Sequence, residues 1–168
     1  MSERTLPAIA FVFPYHEMLL RGLLNVDGFG VKTRSSNWSF RGPILLYTSN
    51  GRYHQVPAIA HNLNPNEFPR GVIVGVATLV DVKVLNNYER VKMLQNFNRV
   101  DFETAKHLAE IGVDYIEPLP FGLFLKNIKR FKKPVSFKPR QGAIGIMRVP
   151  LTQVSKALKE VGINPKTL

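Results

Sequence analysis

Gly71–Val84, GVIVGVATLVDVKV, holds the longest β pattern in the chain. Valine, isoleucine and threonine dominate it, and such β-branched residues suit a strand better than a helix. Gly75 interrupts the run, which marks a bulge or a point where another backbone comes close. Working outward, GPILLYTS (Gly42–Ser49) and AIAFVF (Ala8–Phe13) read as buried strands upstream, the second ending at Pro14. Downstream, FGLFLKNIKRF (Phe121–Phe131) and GAIGIMRV (Gly142–Val149) supply two more. Strands joined by irregular connections, without regular crossover helices, favour a β-barrel or an α+β fold.

Helices are fewer. Pro14 starts a short one over Tyr15–Leu24, loosened by Gly22. Asp101 caps a second that runs to Glu110, with Phe102, Ala105, Leu108 and Ala109 on its apolar face and Gly112 past its end. Pro150 opens the last, where Leu151, Val154, Leu158 and Val161 recur at helical spacing and Gly162 stops the run. Its apolar stripe is expected to pack on the sheet. Ser49–Gly71 has too many turn residues for a regular element, so a long ordered loop, able to act as a lid, is expected there.

At 168 residues, with 45% hydrophobic residues and eleven phenylalanines, the chain is expected to form one domain with a real core. It contains no cysteine, which excludes disulfides and cysteine-built zinc sites. Nothing has metal-ligand spacing, and no P-loop, dinucleotide fingerprint or nucleophile elbow occurs, so no metal and no cofactor is expected. Pro7, Pro14, His16 and Glu17 break up the N-terminal apolar runs, so no signal peptide is read. No run approaches the roughly eighteen apolar residues of a membrane span, and the cytoplasm is the default expectation.

Charge is the most informative bulk property. The 23 Lys and Arg against 12 Asp and Glu give +11, which suggests a polyanionic partner. No acid occurs between Gly28 and Asn66 or between Pro118 and Lys159, and eight of the twelve lie from Glu67 to Glu117. Within the second acid-free stretch, KNIKRFKKPVSFKPR (Lys126–Arg140) interleaves seven cations with Phe131 and Phe137. A solvated surface loop is the plain reading. Aromatic interleaving is also what base stacking along a nucleic-acid strand would use. The first stretch contains VKTRSSNWSFRGP (Val31–Pro43), where Lys32, Arg34 and Arg41 surround Trp38, the only tryptophan.

The order of these pieces resembles a known family. An arginine-bearing segment, RGP leading an apolar strand, then PRGVIVGVATLVDV and finally KPRQGAIGIMRVP resemble the ASCH domain, over roughly Pro7–Pro150. The resemblance implies a PUA-like β-barrel with flanking helices, of α+β class, with a cleft beside the first helix that accepts RNA or a nucleotide. Members of that family carry G-x-K-x-x-E-x-R before this strand, and amidohydrolases acting on acetylated cytidine resemble it with Thr for Glu. Registered on Arg34, Asp27, Phe29 and Lys32 stand at the Gly, Lys and Glu positions, and only the arginine is kept. Registered on Gly30 and Lys32, the glycine and lysine are kept and the later half is lost.

Three readings follow. In the first, Lys32, Arg34, Trp38 and Arg41 grip RNA, or single-stranded DNA, while Lys126, Lys129, Arg130, Lys132 and Lys133 track its backbone. In the second, Lys32, its pKa lowered by flanking arginines, acts with His54 or His61 in a ribonuclease or a nucleoside amidohydrolase. In the third, the basic run meets an acidic protein partner. His16 and His107 are read as packing or surface residues.

Overall fold

The computed structural model describes residues 3–111, 116–140 and 146–168. Among them, seven strands form one sheet: β1 (Thr5–Phe11), β2 (Asn25–Val26), β3 (Phe29–Arg34), β4 (Gly42–Thr48), β5 (Val72–Val84), β6 (Phe121–Ser136) and β7 (Met147–Pro150). Their spatial order is β2-β3-β6-β5-β4-β1-β7. The pair β1/β4 is parallel and the other ladders are antiparallel. Five helices accompany the sheet: α1 (Tyr15–Leu20), α2 (Gln55–Ala60), α3 (Asn87–Asn98), α4 (Phe102–Ile111) and α5 (Leu151–Glu160). The α+β class is as expected. The barrel is not closed by hydrogen bonds, since β2 and β7 are the two edges and no ladder joins them among the described residues.

The central strands read as continuous apolar runs because both faces of the sheet are covered. One face carries Leu6, Ala8, Leu45, Tyr47, Ile73, Val76 and Phe131, packed under Val154, Ala157 and Leu158 of α5. The other carries Phe11, Ile44, Leu46, Val74, Ala77, Leu79, Leu123 and Leu125, packed against Met18 and Leu19 of α1 and Met93 and Phe97 of α3. Consecutive residues such as Ile44, Leu45 and Leu46 therefore enter different cores, each fully buried. Each buried leucine or isoleucine contributes roughly 1.5–3 kcal/mol. The apolar stripe of α5 is a packing face, as its spacing indicates, and the Gln153 amide donates to the Ser136 carbonyl at 2.8 Å to tie it to the end of β6.

Gly75 is the close approach that its place in the pattern suggests. A Cβ there would lie 2.3 Å from the Lys129 carbonyl oxygen, and the β5/β6 register shifts at this point. Strand β6 pairs with β5 along its length, but with β3 only from Phe121 to Leu125. Beyond Leu125, no strand among the described residues pairs with its other edge. The basic run is thus a strand as far as Ser136, not a loop.

Other elements differ from the sequence expectation. Helix α1 stops at Leu20, and Gly22 takes a positive φ of 74°. Within Ser49–Gly71, α2 and a 3-10 turn (Pro65–Glu67) give regular structure where only a loop is expected. Helix α3 is unforeseen although its start is written in the chain: Asn86 accepts from the Glu89 amide and the Glu89 carboxylate accepts from the Asn86 amide, a reciprocal capping box. Asp101 caps α4 as expected, accepting from the Thr104 amide at 2.6 Å. Gly112 and the first half of the Gly142–Val149 strand expectation lie outside the described residues, and β7 begins at Met147.

Candidate functional site

Val31–Pro43 divides into the end of β3 and a loop. A two-residue Asp27–Gly28 turn, both at positive φ, joins β2 to β3 and sets the register of the hairpin. In β3, Lys32 pairs with Leu123, so strand alternation aims both at the core face, where the Lys32 ammonium lies 5.2 Å from the centre of the Phe11 ring. Lys32 enters a pocket of about 190 Å³ whose walls are Val12, Tyr15, Leu24, Val31, Phe97, Ile116 and Leu119, with Thr33, His54 and Glu117 as the polar lining.

Lys32 is poorly compensated there. Its ammonium donates to the Thr33 carbonyl at 3.3 Å, and among the described residues no carboxylate pairs with it. Burial, reinforced by the Arg34 charge, lowers its pKa to about 8. Across the pocket the Tyr15 hydroxyl and His54 Nδ1 are 2.8 Å apart, with their rings edge to face. Burial raises the Tyr15 pKa and lowers that of His54. At neutral pH the phenol keeps its proton and the imidazole is uncharged, so the hydroxyl donates to Nδ1 and Nε2 bears the ring proton. The His54 backbone amide, bonded to the Phe13 carbonyl at 3.0 Å, holds the ring in place.

Arg34 lies two residues beyond Lys32, on the same face of β3, roughly 7 Å further along the strand. Its guanidinium sits 5.6 Å from the Trp38 ring centre, and Trp38 lies at a 30° tilt to Phe40 with centroids 5.4 Å apart. Lys32, Arg34 and Trp38 are therefore brought together, and Tyr15 and His54 join them.

The remaining cations are placed otherwise. Arg41, expected to grip the ligand, folds back onto its own loop: Nη1 donates to the carbonyls of Trp38 (2.9 Å) and Phe40 (2.8 Å), and Nη2 lies 3.7 Å from Asp81. Arg130, expected to track a nucleic-acid backbone, makes a two-pronged pair with the buried Glu17 at 2.8 and 2.7 Å. Desolvation alone would raise the Glu17 pKa, but hydrogen bonds from Arg130 and Arg21 outweigh it and the net shift is downward. Lys126 stacks over Phe29 at 4.5 Å and lines a separate concavity with Asp27, Asp81 and Lys83. Lys129 donates to the Val161 carbonyl at the end of α5. Lys132 and Lys133 are exposed, ten residues or so from Leu123 along β6, on the order of 30 Å from the Lys32 pocket. A single concave surface holding every expected cation is not what the chain builds.

Of the histidines, His61 bonds the Asn96 carbonyl at 2.6 Å, His16 is buried in packing and His107 is exposed. No cluster of three metal-ligating residues occurs among the described residues. Sequence reasoning missed Tyr15 and Phe97 as pocket residues, because only folding brings α1 and α3 to β3.

No family model matches the chain, and no curated protein does. Solved structures do. ASCH structures from Zymomonas mobilis are among those it is similar to. The crystal structure of ASCH from Zymomonas mobilis is 11% identical, over 94% of this chain and 96% of that one, with a TM-score of 0.45. A mutant of the same protein is 11% identical, over 93% and 98%, with a TM-score of 0.44.

Proposed function

We propose that this chain binds single-stranded RNA by admitting one nucleotide to the Lys32 pocket, with Arg34 on its phosphate and Trp38 stacking on a neighbouring base. One observation carries the reading: an aromatic-walled pocket with a cation inside, and a stacked arginine and tryptophan adjoining it on the same strand face. Mostly apolar walls with a few convergent polar groups are the usual make-up of a ligand site. Base stacking on Trp38 would supply about 1–3 kcal/mol, and Arg34 a forked phosphate contact. The net charge of +11 would draw the polyanion in, with Lys126, Lys129, Lys132 and Lys133 adding a diffuse, salt-sensitive attraction. Arg41 supports the Trp38 loop in this reading and does not touch RNA.

The test is anisotropy with labelled short RNA at low salt. Trp38→Ala and Arg34→Ala should each weaken binding by roughly 10–100-fold. Unchanged affinity in both would refute the pocket as the binding site.

The placement of His54 beside Lys32 favours a second reading, hydrolysis of RNA or of a nucleoside amide. There the Tyr15–His54 pair would act as general base, the phenol oxygen taking a proton as its own passes to Nδ1, and Lys32 would stabilise the developing anion. Incubation with RNA and with N4-acetylcytidine separates the two, since a pure binder leaves both intact.

A further inference from the structure

We propose that Lys32 is a nucleophilic amine that captures an aldehyde-bearing nucleotide, the ring-opened sugar of an abasic ribose or deoxyribose, as a Schiff base inside its pocket. The inference rests on the reading that this pocket admits a nucleotide, and adds a covalent chemistry to it.

Three features carry it. First, an amine nucleophile must be unprotonated, and Lys32 has every reason to shed its proton: apolar and aromatic walls, no carboxylate partner among the described residues, and Arg34 as a like charge on the same strand face. The charged and titratable groups about it are Arg34 from β3, Tyr15 from α1, His54 ahead of α2 and Glu117 from the segment after α4, and Glu117 itself pairs with Arg90 at 3.8 Å. Second, a proton carrier shares the cavity, because the hydrogen-bonded Tyr15–His54 pair lines it with Lys32. Third, the cavity is small and largely apolar, which suits a nucleotide lacking its base and keeps water from an imine once formed.

The step balances without a co-reactant. The Lys32 lone pair attacks the aldehyde carbon, and one of the two amine protons passes to the Tyr15 oxygen as the phenol proton moves to His54 Nδ1, then returns by the same pair to the carbonyl oxygen, which becomes the hydroxyl of a carbinolamine. The second amine proton follows the same route as that hydroxyl leaves as water, and a C=N bond replaces C=O. Hydrolysis reverses each step and regenerates the amine.

Two single-stranded oligonucleotides test this with the full chain: one with a natural abasic site, the other with its tetrahydrofuran analogue, which has no aldehyde. Cyanoborohydride reduction should trap a one-to-one adduct with the first, mapped to Lys32 by peptide mass spectrometry and separated there from the chain's α-amino group. Lys32→Arg should lose at least tenfold of the adduct, Lys83→Arg none. The trapping rate should rise with pH and level off above about 8, where ordinary lysines are still charged. If the tetrahydrofuran oligonucleotide binds but no adduct forms at Lys32, the Schiff base is refuted and nucleotide binding stands. Absence of binding by either oligonucleotide overturns the binding reading instead, and pyridoxal labelling then decides the amine: preferential modification of Lys32 supports it, and labelling spread over exposed lysines overturns it.

Discussion

The two halves of β6 put positive charge to different uses. From Phe121 to Leu125 the strand is paired on both sides, and Leu123 stands opposite Lys32. From Lys126 to Ser136 no strand among the described residues pairs with one edge, and Lys129, Arg130, Lys132 and Lys133 follow one another along this half. Open edges invite pairing with other chains, and charged side chains with a proline, here Pro134, are a common protection. Beside the first half, one lysine is partly buried among apolar walls, at a cost to the fold. Along the second, several are solvated at almost none. Equal charges in the sequence thus differ in consequence according to whether water reaches them.

Substitutions that strain this contrast should give graded effects. The largest belongs to Arg130, the cation of the second half that pairs with a buried carboxylate among the described residues. Glu17→Ala would strip Arg130 and Arg21 of their shared carboxylate, and chemical denaturation should show a loss on the order of 2–4 kcal/mol, the half-exposed arginines keeping it below the cost of a fully buried pair. Lys32→Met comes next and runs the other way. Removing a partly buried ammonium that has no carboxylate partner among the described residues should stabilise the fold by up to about 1 kcal/mol while RNA affinity falls at least tenfold, since sites selected for function carry such strain. A variant less stable than the parent would show that Lys32 is a structural residue.

A third effect depends on pH. His16 is buried beside Phe13 and Glu17, Nδ1 has no partner among the described residues, and burial lowers its pKa from 6.5 to about 4. Between those values the unfolded chain binds the proton and the folded one does not, so stability should fall as pH drops from about 6.5 to 4. Glu17, whose folded pKa is also lowered, adds to the loss below its ordinary value near 4.5. His16→Leu should flatten the upper part of this slope in urea titrations run at successive pH values, and an unchanged slope would place the titrating group elsewhere. The smallest effect is that of Lys132→Ala with Lys133→Ala. Stability should move by less than about 0.5 kcal/mol, while the salt dependence of RNA binding becomes shallower.

The same contrast explains what could be read in advance. Gly71–Val84 and the α5 stripe were legible because burial on both faces, or on one, writes its period directly into residue type. Gly75 was legible because a glycine within such a run needs a reason, and the Lys129 carbonyl is that reason. Helix α3 was not, since its buried residues Met93, Leu94 and Phe97 are few among polar ones and only the Asn86–Glu89 capping box marks it. Lys32 and Arg34 stood out by the lack of acids around them, and Trp38 by being alone. The Tyr15–His54 contact spans 39 positions and two elements, so no local pattern announces it. The loop contacts of Arg41 were not legible because its acceptors are backbone carbonyls, which every residue carries. The basic run declared its charge but not its open edge, which depends on where β3 ends.

Trp38 is the only tryptophan, so its fluorescence reports on one end of the proposed site without a label. Titration with short single-stranded RNA should quench it saturably, at the same concentrations that raise the anisotropy of labelled RNA, and Lys32→Met should shift both curves together by at least tenfold. RNA that binds by anisotropy while Trp38 emission stays constant, with affinity lost on replacing Lys132 and Lys133 instead, would contradict the assignment of binding to the pocket.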